Sequence, residues 1–566
     1  MIYLLRIIKN FIKEKSDCLM KKSALRKSSF VEGTIIATLA IIFTKILGLI
    51  YVIPFYEIVG TQGSALYSYA YTIYNIFLDI SSAGLPIAIS KIINEYNTLN
   101  MMDAKLRAYN IGKKIMFYIA VSIFIILIVF APQIANTLIG DLKGGNTVND
   151  VSFAIRCVSF AILIVPFLSV EKGYLQGHKI IRVSSISQIL EQIVRIAIIL
   201  GGSYIVIKIL NKSVTLAVGV SVLGAFFGGI VAYIYIKHSV NKNRSALGLD
   251  KEYKKDDVTN KAIIKKIFSY AIPFIIINIV SSFYNFVDMT LLLRTMQYLK
   301  LSTSDVEFVT SAVATWAPKI NMVVTSLAMG MSTSFIPAMV SAYTLKKWDD
   351  VNNKFNQAIQ ILLVVSLPMT IGLSLLSSAV WAMFYGPSVN GSYILALNVF
   401  TGLAINIYMI SSSALQGLNK FKIVYLSTIT GFVTNALLDV PIMLLYNKIG
   451  FPPFLGAVTS SIIGYSLSII IIFIALHKEC KLKYRNTLKV LLKLLVPVIT
   501  MILFVLIGMH FIPVNLNSKL SCIVYVGLNA IIGGGVYFII TYKMGIFNYV
   551  LGDSYVNRLK KKIFRK

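Results

Sequence analysis

Charge is what this sequence has least of. Only 14% of its 566 residues are Asp, Glu, Lys or Arg, where soluble globular chains carry about a quarter. Acid is scarcer than base, with 23 Asp and Glu against 54 Lys and Arg and a net charge of +31. The four cysteines, Cys18, Cys157, Cys480 and Cys522, show no CxxC spacing, and two fall inside apolar runs, so neither a disulfide framework nor a zinc site is implied. The four histidines, His178, His238, His477 and His510, are equally dispersed, and metal catalysis has no support. A Walker A sequence is missing, and no soluble stretch could hold a nucleotide domain. Energy for any transport must then come from an ion gradient, the membrane potential or consumption of the product. No external loop is long enough to carry a catalytic domain, so an enzyme is not expected; nor is a cofactor, and the sequence does not identify a coupling ion.

What is present is apolar length. Hydrophobic residues make up 57% of the chain, and mean hydropathy is +0.77. Crossing a ~30 Å hydrocarbon core takes roughly 20 residues of helix. Runs of that length recur from Thr34 to Tyr542 and are too long and continuous for barrel strands. The expected fold is an all-α membrane protein with about 14 transmembrane helices. The spans are expected near 33–57, 65–93, 112–138, 150–173, 183–209, 213–237, 263–294, 309–343, 355–385, 391–417, 421–447, 453–477, 488–511 and 519–542. Met1 to Lys15 alternates apolar and basic residues without a small-residue cleavage site. This reads either as an interfacial helix or as an extension ahead of a start at Met20-Lys21-Lys22.

The loops alternate in charge. One set is basic: Lys9 to Lys27, Lys105 to Lys114, Lys172 to Arg182, Lys237 to Lys266, Lys346 to Lys354, Lys420 and Lys422, Lys478 to Lys489, and Lys543 to Lys566. The other set, Gly60–Ser64, Gly140–Asn149, Pro387–Gly391 and Ile512–Ser518, is nearly uncharged. Missing one span would invert every later loop, so the alternation supports an even count with both termini cytoplasmic, in a plasma membrane. Basic residues spread over alternate loops attract anionic membrane lipids and do not form the single basic face that nucleic acid requires. Lys237 to Lys266 mixes Lys, Asp, Asn and Arg and reads as a flexible, membrane-hugging linker.

The chain also repeats itself. Leu175-Gln176-Gly177, followed by Lys179, recurs 240 residues later as Leu415-Gln416-Gly417, followed by Lys420. Ser185-Ile186-Ser187 resembles Thr428-Ile429-Thr430, and Asp103 after span two matches Asp349 after span eight. The expected organisation is a cytoplasmic segment 1–32, an N-lobe 33–237, a linker 238–262, a C-lobe 263–477, two further spans within 488–542 and a basic tail 543–566. Transporters pair such halves around a midplane site reached by alternating access.

A charge inside a span costs a few kcal/mol even on insertion scales, so each one needs a reason. The spans contain Lys45, Asp79, Arg156, Glu191, Arg195, Asp288, Arg294, Lys319 and Asp439. Glu191 and Arg195 lie four apart on one face, acid first, and form either a structural pair or part of a cavity. Arg156 and Arg294 are placed where they could snorkel to the interface, and Asp439 beside Pro441 could bond backbone freed at a kink. Lys45 and Lys319 sit well inside their spans with no acid on the adjacent turn. The expected substrate-binding set is Lys45, Arg195, Lys319, Asp288, Glu191 and Arg156. Gating or structural roles are expected for Gly48, Pro54, Asp79, Gln176, Gly177, Gln416, Gly417 and Asp439. A cationic cavity of this kind suits phosphate or diphosphate, through charge-assisted hydrogen bonds.

The motifs are recognisable as a set: Lys45-Ile46-Leu47-Gly48 followed by Tyr51-Val52-Ile53-Pro54-Phe55, then Ile87-Ala88-Ile89-Ser90-Lys91, Gln176-Gly177-His178, Glu191-Gln192-Ile193-Val194-Arg195-Ile196, Tyr284-Asn285-Phe286-Val287-Asp288 and Phe384-Tyr385-Gly386. In order and spacing, from about Lys27 to Phe547, the chain resembles the peptidoglycan lipid II flippases of Gram-positive bacteria. These are members of the multidrug/oligosaccharidyl-lipid/polysaccharide exporter superfamily, related to stage V sporulation protein B. The resemblance implies a V-shaped fold of two six-helix lobes and a central cationic cavity for the diphosphate-sugar head of lipid II. It also implies a groove for the polyprenyl tail formed by spans thirteen and fourteen. Lys45 stands where relatives usually have arginine, which keeps the charge and loses the bidentate fork. Tyr51 and Val52 stand where Gram-negative relatives have an Arg-Asp pair.

The leading expectation is therefore a flippase for lipid II or a similar polyprenyl-diphosphate-linked glycan, working with the cell-wall synthesis machinery. A capsular or teichoic precursor, or a sporulation-specific wall role, keeps the fold and changes the cargo. A cation-coupled multidrug antiporter of the same superfamily would need an acidic cavity.

Overall fold

The computed structural model describes residues 40–551, apart from 42, 83, 141–144 and 251–252. The amphipathic start of the chain and the tail beyond residue 551 lie outside the described residues. Among those residues there is no strand. In chain order the helices are α1 (43–50), α2 (Val52–Ser82), α3 (Leu85–Thr98), α4 (Met102–Ile139), α5 (Val148–Gly177), α6 (Ile181–Tyr204), α7 (Val214–Lys242) and α8 (Arg244–Leu247). The second half continues with α9 (Asn260–Tyr298), α10 (Thr303–Ser311), α11 (Ala317–Thr344), α12 (Trp348–Leu375), α13 (Ser377–Tyr385), α14 (Val389–Gly417), α15 (Phe421–Lys448) and α16 (Leu455–Cys480). Last come α17 (Arg485–Phe511), α18 (Lys519–Lys543) and α19 (Ile546–Leu551). A π-turn extends α6 over Ile205–Ile209, and another joins α10 to α11 over Ala312–Trp316.

Twelve stretches among the described residues are long and apolar enough to cross a membrane. One of these, Val52–Thr98, is broken at Gly60, whose φ of +67° lies in the left-handed region that only glycine enters freely. The helical residues 43–59 ahead of Gly60 and the Thr303–Thr344 stretch are further helices beside these twelve, which is roughly compatible with fourteen. Local chemistry sets the helix ends. Thr147, Ser213, Thr259, Ser302, Ser388 and Ser518 cap α5, α7, α9, α10, α14 and α18 with their hydroxyls, satisfying amides that would otherwise be unpaired. Two prolines bend the chain where it matters for function. Pro54 has no amide hydrogen to offer Ile50, and the helix gives way to a turn at Tyr51. Pro318 follows the π-turn at Ala312–Trp316, the bulge expected where a ring displaces the preceding carbonyl.

The internal repeat is geometric as well as textual. After α5, Lys179 has φ +63°, its amide donates to the Gln176 carbonyl, and the Ile180 amide donates to Leu175. After α14, Asn419 has φ +58°, with matching bonds to Gln416 and from Lys420 to Leu415. Asn100 and Lys346, each three residues before the matched Asp103 and Asp349, also have positive φ. Packing recurs with the turns: α4 on α5, α5 on α7 and α6 on α7 in the first half; α12 on α14, α14 on α16 and α15 on α16 in the second. Helices α17 and α18 pack on each other and lean on α12 and α13. In the second repeated turn, the Glu479 carboxylate binds the Lys420 ammonium at 2.7 Å and holds it above the usual lysine range.

The segment between the halves is not the flexible linker its composition suggests. Arg107 of α4 donates to the Val258 carbonyl at 2.6 Å and to the Asn260 side chain at 3.0 Å. Asp256 accepts from the Ala104 amide at 2.8 Å, and its own amide donates to Asp103 at 3.1 Å. Lys105 and Tyr174 both donate to the Leu247 carbonyl. Of the segment's own charges Asp256 takes part in this strap; the rest of it is backbone groups and Asn260 held by Asp103, Arg107, Lys105 and Tyr174 of the first half.

Candidate functional cavity

Helices α1, α2 and α6 of the first half face α9 and α11 of the second across a cavity of about 500 Å³. Of its charged lining residues, Lys45, Lys172, Arg195 and Lys319 are cationic and Glu191 alone is acidic. The uncharged lining includes the polar and aromatic residues Tyr51, Tyr67, Tyr71, Asn75, Gln192 and Asn285 beside apolar Val165, Ala314 and Met322. Space of this size lies within the range of small-ligand sites.

Helix α6 carries the anchor of the site. Glu191 accepts from Arg195 at 2.9 Å, one turn away, and from Lys172 of α5 at 3.1 Å. One carboxylate thus aligns two cations without neutralising both. Small residues make this possible. A Cβ on Gly228 would lie 2.6 Å from the Glu191 carbonyl, and one on Gly224 would lie 2.8 Å from the Arg195 carbonyl. Glycines four apart on α7 let its backbone touch α6 at the turn that bears the charges, as small-xxx-small spacing does between membrane helices. Lys45, half-buried on α1, also faces the cavity and has no ion pair among the described residues.

Lys319 is held differently. Only 9% exposed, it donates to the Tyr51 hydroxyl at 2.6 Å. Four rings surround its ammonium: Tyr51 at 4.7 Å, Trp316 at 4.9 Å, Tyr67 at 5.2 Å and Tyr71 at 5.9 Å. The turn made by Pro54 and the bulge ahead of Pro318 present Tyr51 and Trp316 to the same point. Beyond Lys319 the aromatic packing continues through Tyr56, Trp316 and Tyr385, away from the Lys-rich end of the bundle.

The other residues singled out in the sequence are placed as follows. Asp288 is not in the cavity. It is buried inside the second half, accepting from Asn435 and, at 2.7 Å, from Ser461. Asp439 is buried close enough to interact with it electrostatically and accepts from Ser460, so the partner of its bonded oxygen is a side chain rather than backbone freed at Pro441. Two carboxylates so placed repel unless a proton or cation is shared between them. Arg156 points away from the cavity: it is exposed and donates to the Ile128 carbonyl of α4 at 3.3 Å. Arg294 is at a helix end, on the Thr137 carbonyl. Asp79 lies beside the cavity, bonded to the lining residue Ser282. Gly48 lines it, with Gln192 3.4 Å from where a Cβ would be. Gln176 donates to Ser184 at 3.1 Å, and Gly177 lets α5 approach the Ser90 carbonyl of α3. Gln416 and Gly417 close the matching turn in the second half.

Two features escaped the sequence. Lys172 reads there as loop charge, but α5 continues to Gly177 and carries it into the cavity. The tyrosines around Lys319 carry no charge and stand 268 residues or fewer from it along the chain, so no local pattern joins them.

Against known proteins, residues 30–343 match the model of a polysaccharide biosynthesis protein family. The chain is similar to the lipid II flippase MurJ of Bacillus subtilis (strain 168), 29% identical over 543 residues, covering 93% of this chain and 97% of that one. A solved lipid II flippase MurJ in an inward closed conformation superposes with a TM-score of 0.61 at 17% identity, covering 91% of this chain and 99% of that one. An inward-facing multidrug resistance MATE family transporter of the MOP superfamily has a TM-score of 0.60 at 16% identity, covering 77% and 96%. With a matched segment spanning more than half its length and a helical transporter fold, this multi-pass membrane protein belongs to the polysaccharide biosynthesis protein family.

Proposed function

We propose that this protein moves lipid II, a lipid-linked peptidoglycan precursor, from the inner to the outer leaflet of the plasma membrane by alternating access. The observation that carries this reading is the sign of the cavity: Lys45, Lys172, Arg195 and Lys319 against Glu191 alone. Ammonium and guanidinium groups at the membrane interior are costly unless a ligand uses them, and a diphosphate offers them charge-assisted hydrogen bonds. A cationic drug would be repelled, which argues against multidrug antiport despite the shared fold. The similarity to a lipid II flippase over nearly the whole chain supports this cargo over another lipid-linked polysaccharide precursor. The Lys-rich end of the bundle is taken as cytoplasmic, with both termini there, and released precursor would pass to the wall-polymerising machinery outside. Helices α17 and α18, outside the repeat, are the proposed seat of the polyprenyl tail.

The membrane potential has the sign to assist export. With the interior negative, an outgoing anion gains about 2.3 kcal/mol per charge per 100 mV. Depletion of the protein is expected to leave lipid II on the inner leaflet, and reconstituted protein is expected to flip it faster under an inside-negative potential. Normal wall synthesis with no such accumulation on depletion would remove the lipid II reading.

A further inference from the structure

The contacts of Lys319 cross the molecule. The lysine stands on α11 of the second half, whereas Tyr51, Tyr67 and Tyr71 belong to the first. An ammonium has three protons to give. One goes to the Tyr51 hydroxyl, which also lies 3.3 Å from the Tyr67 hydroxyl, and the remaining surface meets ring faces. No carboxylate forms an ion pair with Lys319 among the described residues; the charge it feels most is that of Arg195, of the same sign and on the other half. The cage is therefore a neutral resting place for a cation that has no counterion.

This cage also forms the floor of a plug. Tyr67 stacks on Trp316, Trp316 meets Tyr56 edge-on at 5.8 Å, and both Trp316 and Tyr56 pack on Tyr385, whose hydroxyl donates to the Trp316 carbonyl. Ser68 and Thr315 bond across the halves beside it. Further toward the same end, Glu307 of α10 accepts from the Asn146 amide and side chain, both at 2.7 Å. The path from the cavity to the end opposite the Lys-rich loops is closed by contacts between the halves, and Lys319 is the charged group among those that border the cavity, beside Tyr67 and Thr315.

We propose that Lys319 is a two-position latch that couples occupancy of the cavity to opening of this plug, with Tyr51 as the residue that holds it in the empty state. An anion between Lys319 and Arg195 offers the ammonium charge-assisted hydrogen bonds in place of a neutral hydroxyl and turns the repulsion between the two cations into a shared attraction. With the rest of its surface turned to ring faces, the ammonium bonds cargo by giving up its place in the cage. Taking it from the cage removes a contact that ties the halves together beneath the plug, so the cargo favours the state in which the plug parts. A ligand shifts such an equilibrium only by its differential affinity for the two states, and the swap of partners at Lys319 supplies that difference. The nature of the anion, a lipid diphosphate, rests on the flippase reading.

The test uses the full chain in liposomes with Cys18, Cys157, Cys480 and Cys522 replaced by serine and the lining residue Asn75 replaced by cysteine as reporter. A membrane-impermeant maleimide is added at the face opposite the Lys-rich loops. Empty protein should label slowly. Undecaprenyl diphosphate should accelerate labelling by roughly tenfold, a coupling of ordinary size between sites, and undecaprenol, with the same tail and no charge, should not. Tyr51→Phe and Lys319→Gln should label as fast without ligand, Lys319→Gln should respond no further to the diphosphate, and Lys319→Arg should restore slow labelling. Labelling of Tyr51→Phe and Lys319→Gln at the wild-type rate, with melting temperatures showing them folded, would overturn the latch. So would a full response to diphosphate in Lys319→Gln. Thermal stabilisation of the wild type by undecaprenyl diphosphate reads cargo binding separately. If it occurs while the variants label slowly, the latch fails and the flippase reading stands; if it does not occur, the anionic trigger fails together with that reading.

Discussion

Two lysines that line the same cavity do different work because their neighbours differ. Lys45 faces open cavity with no ion pair among the described residues, while Lys319 is enclosed by three tyrosine rings of the other half and by Trp316 of its own. An open ammonium is available to cargo at once. A charge-assisted hydrogen bond contributes about 1.5–3 kcal/mol, so Lys45→Ala is expected to slow flipping by about tenfold to a hundredfold. Lys45→Arg keeps the charge and should remain near wild type, and Arg156→Ala, outside the cavity, should be silent. Flipping in liposomes, or complementation of a depleted strain, checks all three, and full activity of Lys45→Ala would take Lys45 out of the site. The sequence points to both lysines through the cost of burying charge. It does not separate them, because the cage is made of uncharged residues distant along the chain. Asp288 shows the complementary failure: a charge in a span is legible, but the face it occupies relative to a neighbouring helix is not.

At the scale of elements, the apolar runs locate most helices within a few residues; α4 and α12 begin earlier, at Met102 and Trp348, because polar first turns extend the helix beyond the apolar run, and other deviations arise at bends. Gly60, Pro54 and Pro318 mark real breaks, yet only the fold shows that two of them aim Tyr51 and Trp316 at one lysine. The pair α6–α7 shows how packing serves the site. Gly224 and Gly228 bring α7 against the carbonyls of Arg195 and Glu191, so side chains there would wedge the helices apart. Gly228→Leu is expected to destabilise the protein by about 1–3 kcal/mol, the usual range for overpacking, and to loosen the Glu191 network. Gly201→Ala, with nothing within 4 Å of its Cβ, is the matched control and should be neutral or slightly stabilising. Thermal unfolding in detergent measures both. Equal melting temperatures for the two variants would show that α7 can retreat from α6 without cost.

For the whole molecule, the repeat and the strap between its halves define what can move. Equivalent turns at Lys179 and Asn419 and equivalent helix pairs make each half a packed unit. The segment between them is bound to α4 by Arg107, Asp103 and Asp256, so it travels with the first half and delivers α9 at a set position. Arg107→Ala with Asp256→Ala is expected to free this segment, raising limited proteolysis between Asn243 and Thr259 several-fold while leaving the rest of the helices protected. Unchanged cleavage would mean that packing of α8 and α9, not the polar strap, holds it.

By itself the sequence determined that this chain is an α-helical membrane protein, about where its spans lie, that it repeats, and that its spans carry charges that need a reason, cationic and acidic alike. Each follows from one-dimensional quantities: run length, alternation of loop charge, spacing and the cost of buried charge. Only the tertiary structure decided which charges share a cavity, that Asp288 and Asp439 instead face each other inside the second half, and that Lys319 waits in a cage of rings. Helical periodicity sets the angle at which a side chain leaves its own helix, but the partner it meets depends on how separate helices cross, and those crossings are set by small residues and bends spread over the whole chain.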